Sequence, residues 1–143
     1  MAEVNKSVLV AHSASRMFAL VDSVESYPEF MPWCGGARLI FSDAHTTRAT
    51  LEINYHGVRQ NFTTENAKRE PESMRIRLIE GPFQTLEGCW RFSSLGATGC
   101  KVELSLRYEF ASRLLDKVVG PVFGHIAGNL VEAFVKRAHS IHG

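Results

Sequence analysis

From Ala37 to Ala111 apolar and polar residues alternate with a period close to two. The clearest stretch is KVELSLRYEF, where Val102, Leu104, Leu106, Tyr108 and Phe110 share one phase and Lys101, Glu103, Ser105, Arg107 and Glu109 the other. Successive side chains of a strand point to opposite faces, so the segment predicts a strand with one dry and one wet side. The same phase puts Leu86, Gly88, Trp90 and Phe92 inward against Glu87, Cys89, Arg91 and Ser93, and sets Leu51, Ile53 and Tyr55 against Glu52 and Asn54. Turn signals at His56–Gly57, Arg69–Ser73, Glu80–Phe83 and Gly96–Gly99 separate these runs, as an antiparallel meander requires.

Before the meander, VNKSVLVAHS reads as an opening strand. Ser13 or Ser15 can then cap a short helix over RMFALVDS, and a further helical turn follows at VESYPEF. Pro32, Gly35 and Gly36 in MPWCGG end that pattern. After Ser112 the period changes to that of a helix, with Leu115, Val118, Val122, Ile126, Leu130 and Phe134 expected on one stripe up to about His139. At 1.5 Å per residue such a helix is roughly 40 Å long, enough to cross a whole sheet. Lys136, Arg137 and His139 suit its C-terminal dipole.

Gly120, Gly124 and Gly128 recur at every fourth position of this helix, and Pro121 stands beside the first. Each interior glycine costs about 1 kcal/mol relative to alanine and an interior proline about 3 kcal/mol, so the stretch calls for a reason. The glycine ridge either faces open space beneath the sheet or allows close packing on a strand. The proline either bends the helix or begins it.

The order is one strand, two short helical segments, about six antiparallel strands and one long helix. A curved sheet with one apolar face needs a cover, and the last helix is the one long element that can supply it. The expected class is α+β, a single domain over residues 1–143 with about seven strands wrapped around the C-terminal helix. A chain of 143 residues, 45% hydrophobic and 22% charged, is long enough to bury such a core. Its net charge of +1 gives no strong field toward nucleic acid, so no DNA partner is expected and any anionic contact must be a local patch. Three scattered cysteines without metal spacing suit reduced thiols, and the N-terminus has no signal-peptide pattern, so the mature chain is expected to begin here and work in the cytoplasm. No uninterrupted apolar run approaches the ~20 residues of a membrane span, so any membrane contact, for example at an inner membrane, is expected to be peripheral.

Four phrases in this order, YPEFMPWC (Tyr27–Cys34), GVRQNFTT (Gly57–Thr64), GPFQTLEGCWRF (Gly81–Phe92) and GPVFGHIAGNLVEAFVKRA (Gly120–Ala138), resemble the START-like helix-grip superfamily. Within it the chain is similar to the branch of coenzyme Q-binding proteins and ribosome-association toxins, formerly labelled oligoketide cyclase and lipid transport proteins. The resemblance implies an apolar cavity between sheet and helix and binding of a hydrophobic molecule such as ubiquinone. Members of the branch are also described as blocking ribosomal subunit association, and the resemblance does not choose between them. The first expectation is a carrier that buries ubiquinone or a related lipid and delivers or shields it for respiration. A translation inhibitor docking on a ribosomal subunit is the alternative, and a polyketide cyclase is the least favoured reading.

A cyclase needs an acid/base pair aimed at its substrate, whereas Glu52, Glu87, Glu103 and Glu109 fall in the outward phase, so no enzyme is expected. Walls for a lipid or quinone are better supplied. The expected ligand-binding set is Tyr55, Trp90, Phe92, Tyr108 and Phe110 from the strands, with Val122, Phe123, Ile126 and Leu130 from the helix; the same residues can instead close a solid core. His125 is the histidine in the middle of that helix and is read either as structural or as a donor to a quinone carbonyl. Tyr27, Phe30, Met31 and Trp33 are large for a connecting loop and are expected at the cavity entrance, or tucked into the core. For a ribosomal partner the candidates are Arg38, Arg48, Arg59, Lys68, Arg69, Arg75 and Arg77 on an outer face, with Glu52, Glu65, Glu70 and Glu72 interspersed.

Overall fold

The computed structural model describes residues 1–142. Strand β1 (Ala2–Val10) is followed by helix α1 (Ala14–Asp22) and a 3-10 helix (Val24–Glu29). Strands β2 (Cys34–Ser42), β3 (Thr46–Tyr55), β4 (Val58–Arg69), β5 (Ser73–Glu80), β6 (Phe83–Ser94) and β7 (Cys100–Phe110) come next, and helix α2 (Arg113–His142) closes the described chain. The expected class and element order hold. All seven strands form one antiparallel sheet in the order β1-β7-β6-β5-β4-β3-β2, a meander from β2 to β7 with β1 added beside β7. Register shifts in β2, β5 and β6 add local bend and twist, which helps one sheet curl over one helix.

Local chemistry fixes the helix starts. Ser13 Oγ accepts from the Arg16 N–H at 3.2 Å and Ser112 Oγ from the Leu115 N–H at 3.1 Å, each satisfying a free donor of a first turn. Helix α1 is tied to the sheet at its other end. There the Asp22 carboxylate accepts from the Thr47 hydroxyl at 3.0 Å and from the Lys68 ammonium at 3.1 Å. Lys68 therefore does not belong to an outer basic face. In the β4 register it lies opposite Met74, in the inward phase, and its side chain is only 5% exposed.

The core face of α2 consists of Val119, Phe123, Ile126, Ala127, Val131, Phe134 and Ala138. The sequence-based stripe repeats strictly every four residues through Val118, Val122, Ile126, Leu130 and Phe134, which drifts about 40° per step on a helix of 3.6 residues per turn. It therefore meets the core face at Ile126 and Phe134 and departs from it between and before them. Val118 is 54% exposed, and Val122 and Leu130 are half-buried. By length and composition α2 could cross a membrane, contrary to the expectation from uninterrupted runs, yet here its buried apolar side chains face the sheet.

Pro121 lies inside α2 rather than at its start and is exposed. The glycine ridge also resolves. A Cβ on Gly120 would meet Asp116 Oδ1 at 2.8 Å and Phe110 at 3.7 Å, one on Gly124 would touch the Tyr108 hydroxyl at 3.6 Å, and one on Gly128 would meet nothing within 4 Å. The first two run past the end of β7 and none of the three lines the cavity described next.

Candidate functional site

Beneath the middle of the sheet lies a cavity of about 90 Å³ with predominantly apolar walls. Its floor comes from the inward phases of the strands, including Leu51, Ile76, Leu86, Trp90 and Leu106, and its cover is Phe123, Ile126, Ala127 and Leu130 of α2. Val21, Val24, Tyr27 and Trp33 close it from the side of α1 and the loop that follows. Two short polar side chains of β4, Thr64 and Asn66, interrupt the apolar lining. Neither was expected from the sequence. Both share the phase of the inward Phe62, and that parity was the available signal.

Of the expected ligand-binding set, Trp90, Phe123, Ile126 and Leu130 line this cavity, and of the expected entrance residues Tyr27 and Trp33 do. The others lie elsewhere for identifiable reasons. Tyr108 and Phe110 pack with Phe83 and Phe123 in a cluster of aromatic rings whose centroids are 4.7–6.2 Å apart, which fills the space under one end of β6 and β7. Phe92 is buried between Trp90 and Phe18 of α1. Val122 is half-buried and outside the lining. Tyr55, at the last position of β3, stacks on His125 at 6.2 Å. His125 itself is exposed, so it does not reach into the cavity. Met31 is buried in the core, while Phe30 packs on Phe134 under the Arg137 guanidinium, 4.8 Å from its ring centroid.

The Tyr27 hydroxyl donates to the Val21 carbonyl at 2.5 Å, and burial keeps its proton on far above the ordinary range of a phenol. Burial likewise raises the Cys34, Cys100 and Tyr108 groups. None of these is an acid or base near neutral pH. At the far end of the fold His12, 3% exposed, meets His139 of α2 with ring nitrogens 3.0 Å apart. Burial, then His139, Arg16 and His142, hold the His12 imidazole below its usual pKa. Among the described residues no group of three metal-ligating side chains is placed to hold an ion.

The opposite face of the sheet carries a shallow groove of about 560 Å³ around Gly88, Cys89 and Ser105. Four arginines, Arg75, Arg77, Arg91 and Arg107, stand on it against two glutamates, Glu65 and Glu87. Arg48 and Arg77 both grip Glu65, which holds that carboxyl below the usual range, and Arg107 pairs with Glu3 at 3.1 Å. Arg91 and Arg107 extend the expected basic face beyond the early strands where the sequence placed it.

A curved antiparallel sheet that grips one long helix over an apolar cavity defines a helix-grip protein of the START-like class. Residues 10–135 match the model of the family described as polyketide cyclase/dehydrase and lipid transport, and the chain belongs to that family. It is 40% identical over 144 residues to the ribosome association toxin RatA of Vibrio cholerae, an alignment covering 100% of this chain and 99% of that protein. It is 29% identical over 146 residues to the mitochondrial coenzyme Q-binding protein COQ10 homolog B of Xenopus laevis, covering 99% of this chain and 59% of the relative. Among solved structures, the TTHA0849 protein of Thermus thermophilus superposes with a TM-score of 0.84 at 20% identity, covering 99% and 100% of the two chains. The Zhui aromatase/cyclase of a Streptomyces does so with a TM-score of 0.70 at 20% identity, covering 97% and 87%. At that identity the last two speak for the fold alone.

Proposed function

We propose that this protein binds a compact hydrophobic molecule between its sheet and α2, and that its cellular role is directed at a ribosomal subunit, in the cytoplasm. The observation that carries the first part is the cavity, an unfilled space with predominantly aromatic and aliphatic walls between sheet and α2 in an interior that is otherwise closely packed. The second part is supported by full-length identity to a protein named a ribosome association toxin. The excess of arginine over glutamate in the outer groove suits phosphate contact. Neither part requires covalent chemistry, because the cavity holds no acid/base pair.

Ubiquinone is the second reading of the ligand, favoured by the coenzyme Q-binding relative. The space of about 90 Å³ is well below the roughly 300–1,000 Å³ of typical ligand pockets, so a long isoprenoid tail needs α2 or the Trp33 loop to move aside. A ring alone needs far less.

Two assays on one purified sample test the proposal. Organic extraction with mass spectrometry should find a co-purifying apolar molecule, and gradient sedimentation with separated ribosomal subunits should show salt-dependent association with one of them. A protein that comes out empty, binds no apolar probe and sediments alone at low salt contradicts both parts. A bound quinone on a protein that ignores ribosomes returns the role to quinone handling.

A further inference from the structure

We infer that the molecule held in the cavity carries a hydrogen-bond donor, a hydroxyl or N–H on its ring end, which Asn66 Oδ1 accepts. The inference rests on reading the cavity as a ligand site and adds the class of ligand. Asn66 stands on the inward phase of β4, between Thr47 of β3 and Ile76 of β5, and lines the cavity. Its amide nitrogen donates to the sulfur of the fully buried Met74 at 3.4 Å, which orients the group. Its Oδ1 is shielded from solvent and has no partner.

Two protein donors near it along these strands are directed elsewhere. The Thr47 hydroxyl, directly across in register, and the Lys68 ammonium, two residues further along β4, both go to Asp22. Leaving a shielded carbonyl without a donor is unfavourable, and an amide among apolar cavity walls is the kind of polar group that fixes the orientation of a ligand. A phenol, a quinol or an N–H heterocycle satisfies it. A fully oxidised quinone or an ether brings acceptors only and leaves Oδ1 unpaired. On this account a quinone-type ligand is held in its reduced, hydroxylated form.

The test is calorimetric titration of the full chain with 4-hexylphenol and with its methyl ether, 4-hexylanisole. The wild-type protein should bind the phenol about fivefold or more tightly than the ether, the ratio expected of one net hydrogen bond. Asn66→Leu should bring the two affinities together, while Asn66→Asp, which keeps an acceptor, should preserve the preference. Equal binding by the wild type, a preference for the ether, or a preference that survives in Asn66→Leu overturns the inference; if Asn66→Leu does not fold, the wild-type ratio decides alone. Failure of the underlying reading looks different. Binding of neither probe, or binding of both that is unaffected by filling the cavity with Ala127→Leu, removes the ligand site and the inference with it.

Discussion

The two faces of this sheet are built from alternate residues of the same strands, and they do opposite things. Along β7, Val102, Leu104, Leu106, Tyr108 and Phe110 enter the core while Ser105, Arg107 and Glu109 between them are exposed. On the inner face burial holds the side chains in fixed packing, and a single unfilled space or unpaired atom stands out. On the outer face arginines and glutamates pair at largely solvent-exposed positions, where individual pairs are worth little. The comparison teaches that an inner substitution should change stability and ligand, whereas an outer one should change the partner and leave the fold alone.

The largest expected effect lies on the inner face. Phe123 packs on Phe62, Phe83, Tyr108 and Phe110, so Phe123→Ala should destabilise the protein by about 3–5 kcal/mol, read from urea unfolding. A loss below ~1 kcal/mol would mean that the aromatic cluster is not a packed core. Next comes Asp22→Ala, which strands the Lys68 ammonium. A fully buried pair broken in this way costs ~3–5 kcal/mol, and because the Asp22 side chain keeps 26% exposure the loss expected here is nearer ~2–3 kcal/mol. Restoration in the double variant Asp22→Ala/Lys68→Met checks that the stranded charge is the cause.

Acid should act through His12. Its folded-state pKa lies below the ordinary 6.5, so below that pH the unfolded chain binds the proton that the folded one resists, and stability falls as pH drops through the ordinary value. Above it the contribution is constant. The urea midpoint followed from pH 8 to pH 5 should decline more in the wild type than in His12→Phe; parallel curves would remove His12 as the source. Smaller still is Gly128→Ala, which should gain about 0.5–1 kcal/mol, since a Cβ there meets nothing within 4 Å and the helix gains propensity. On the outer face Arg75→Glu with Arg107→Glu should shift stability by less than about 1 kcal/mol yet weaken subunit association and flatten its salt dependence.

Much of this was legible in the residues, and what was not has physical causes. The alternation in β7 and β6 placed Leu104, Tyr108 and Trp90 inward, because long stretches of large apolar residues leave the phase unambiguous. In β4 the run NFTTENAKR is mostly polar, so nothing in its composition showed that Thr64, Asn66 and Lys68 follow Phe62 inward. Tyr55 shares the correct parity, but parity does not tell where along a curved strand the cavity stops. The same limit separated Trp90, which lines the cavity, from Phe92, which closes the core beside it. Val118 was misplaced by a four-residue repeat that a 3.6-residue helix cannot keep. The glycine ridge invited a cavity explanation, yet in space Gly120 and Gly124 face Phe110 and Tyr108, while a side chain at Gly128 would meet nothing within 4 Å.

The separation of the two faces can be tested in one titration. Trp33 and Trp90, the two tryptophans of the chain, both line the cavity, so their fluorescence reports on it directly. With 4-hexylphenol titrated into wild type, Arg75→Glu/Arg107→Glu and Ala127→Leu, the account predicts equal affinity for the first two. For Ala127→Leu, which fills the space, it predicts a loss of about tenfold or more. Affinity that falls in the outer-face variant, or persists when the cavity is filled, would contradict it.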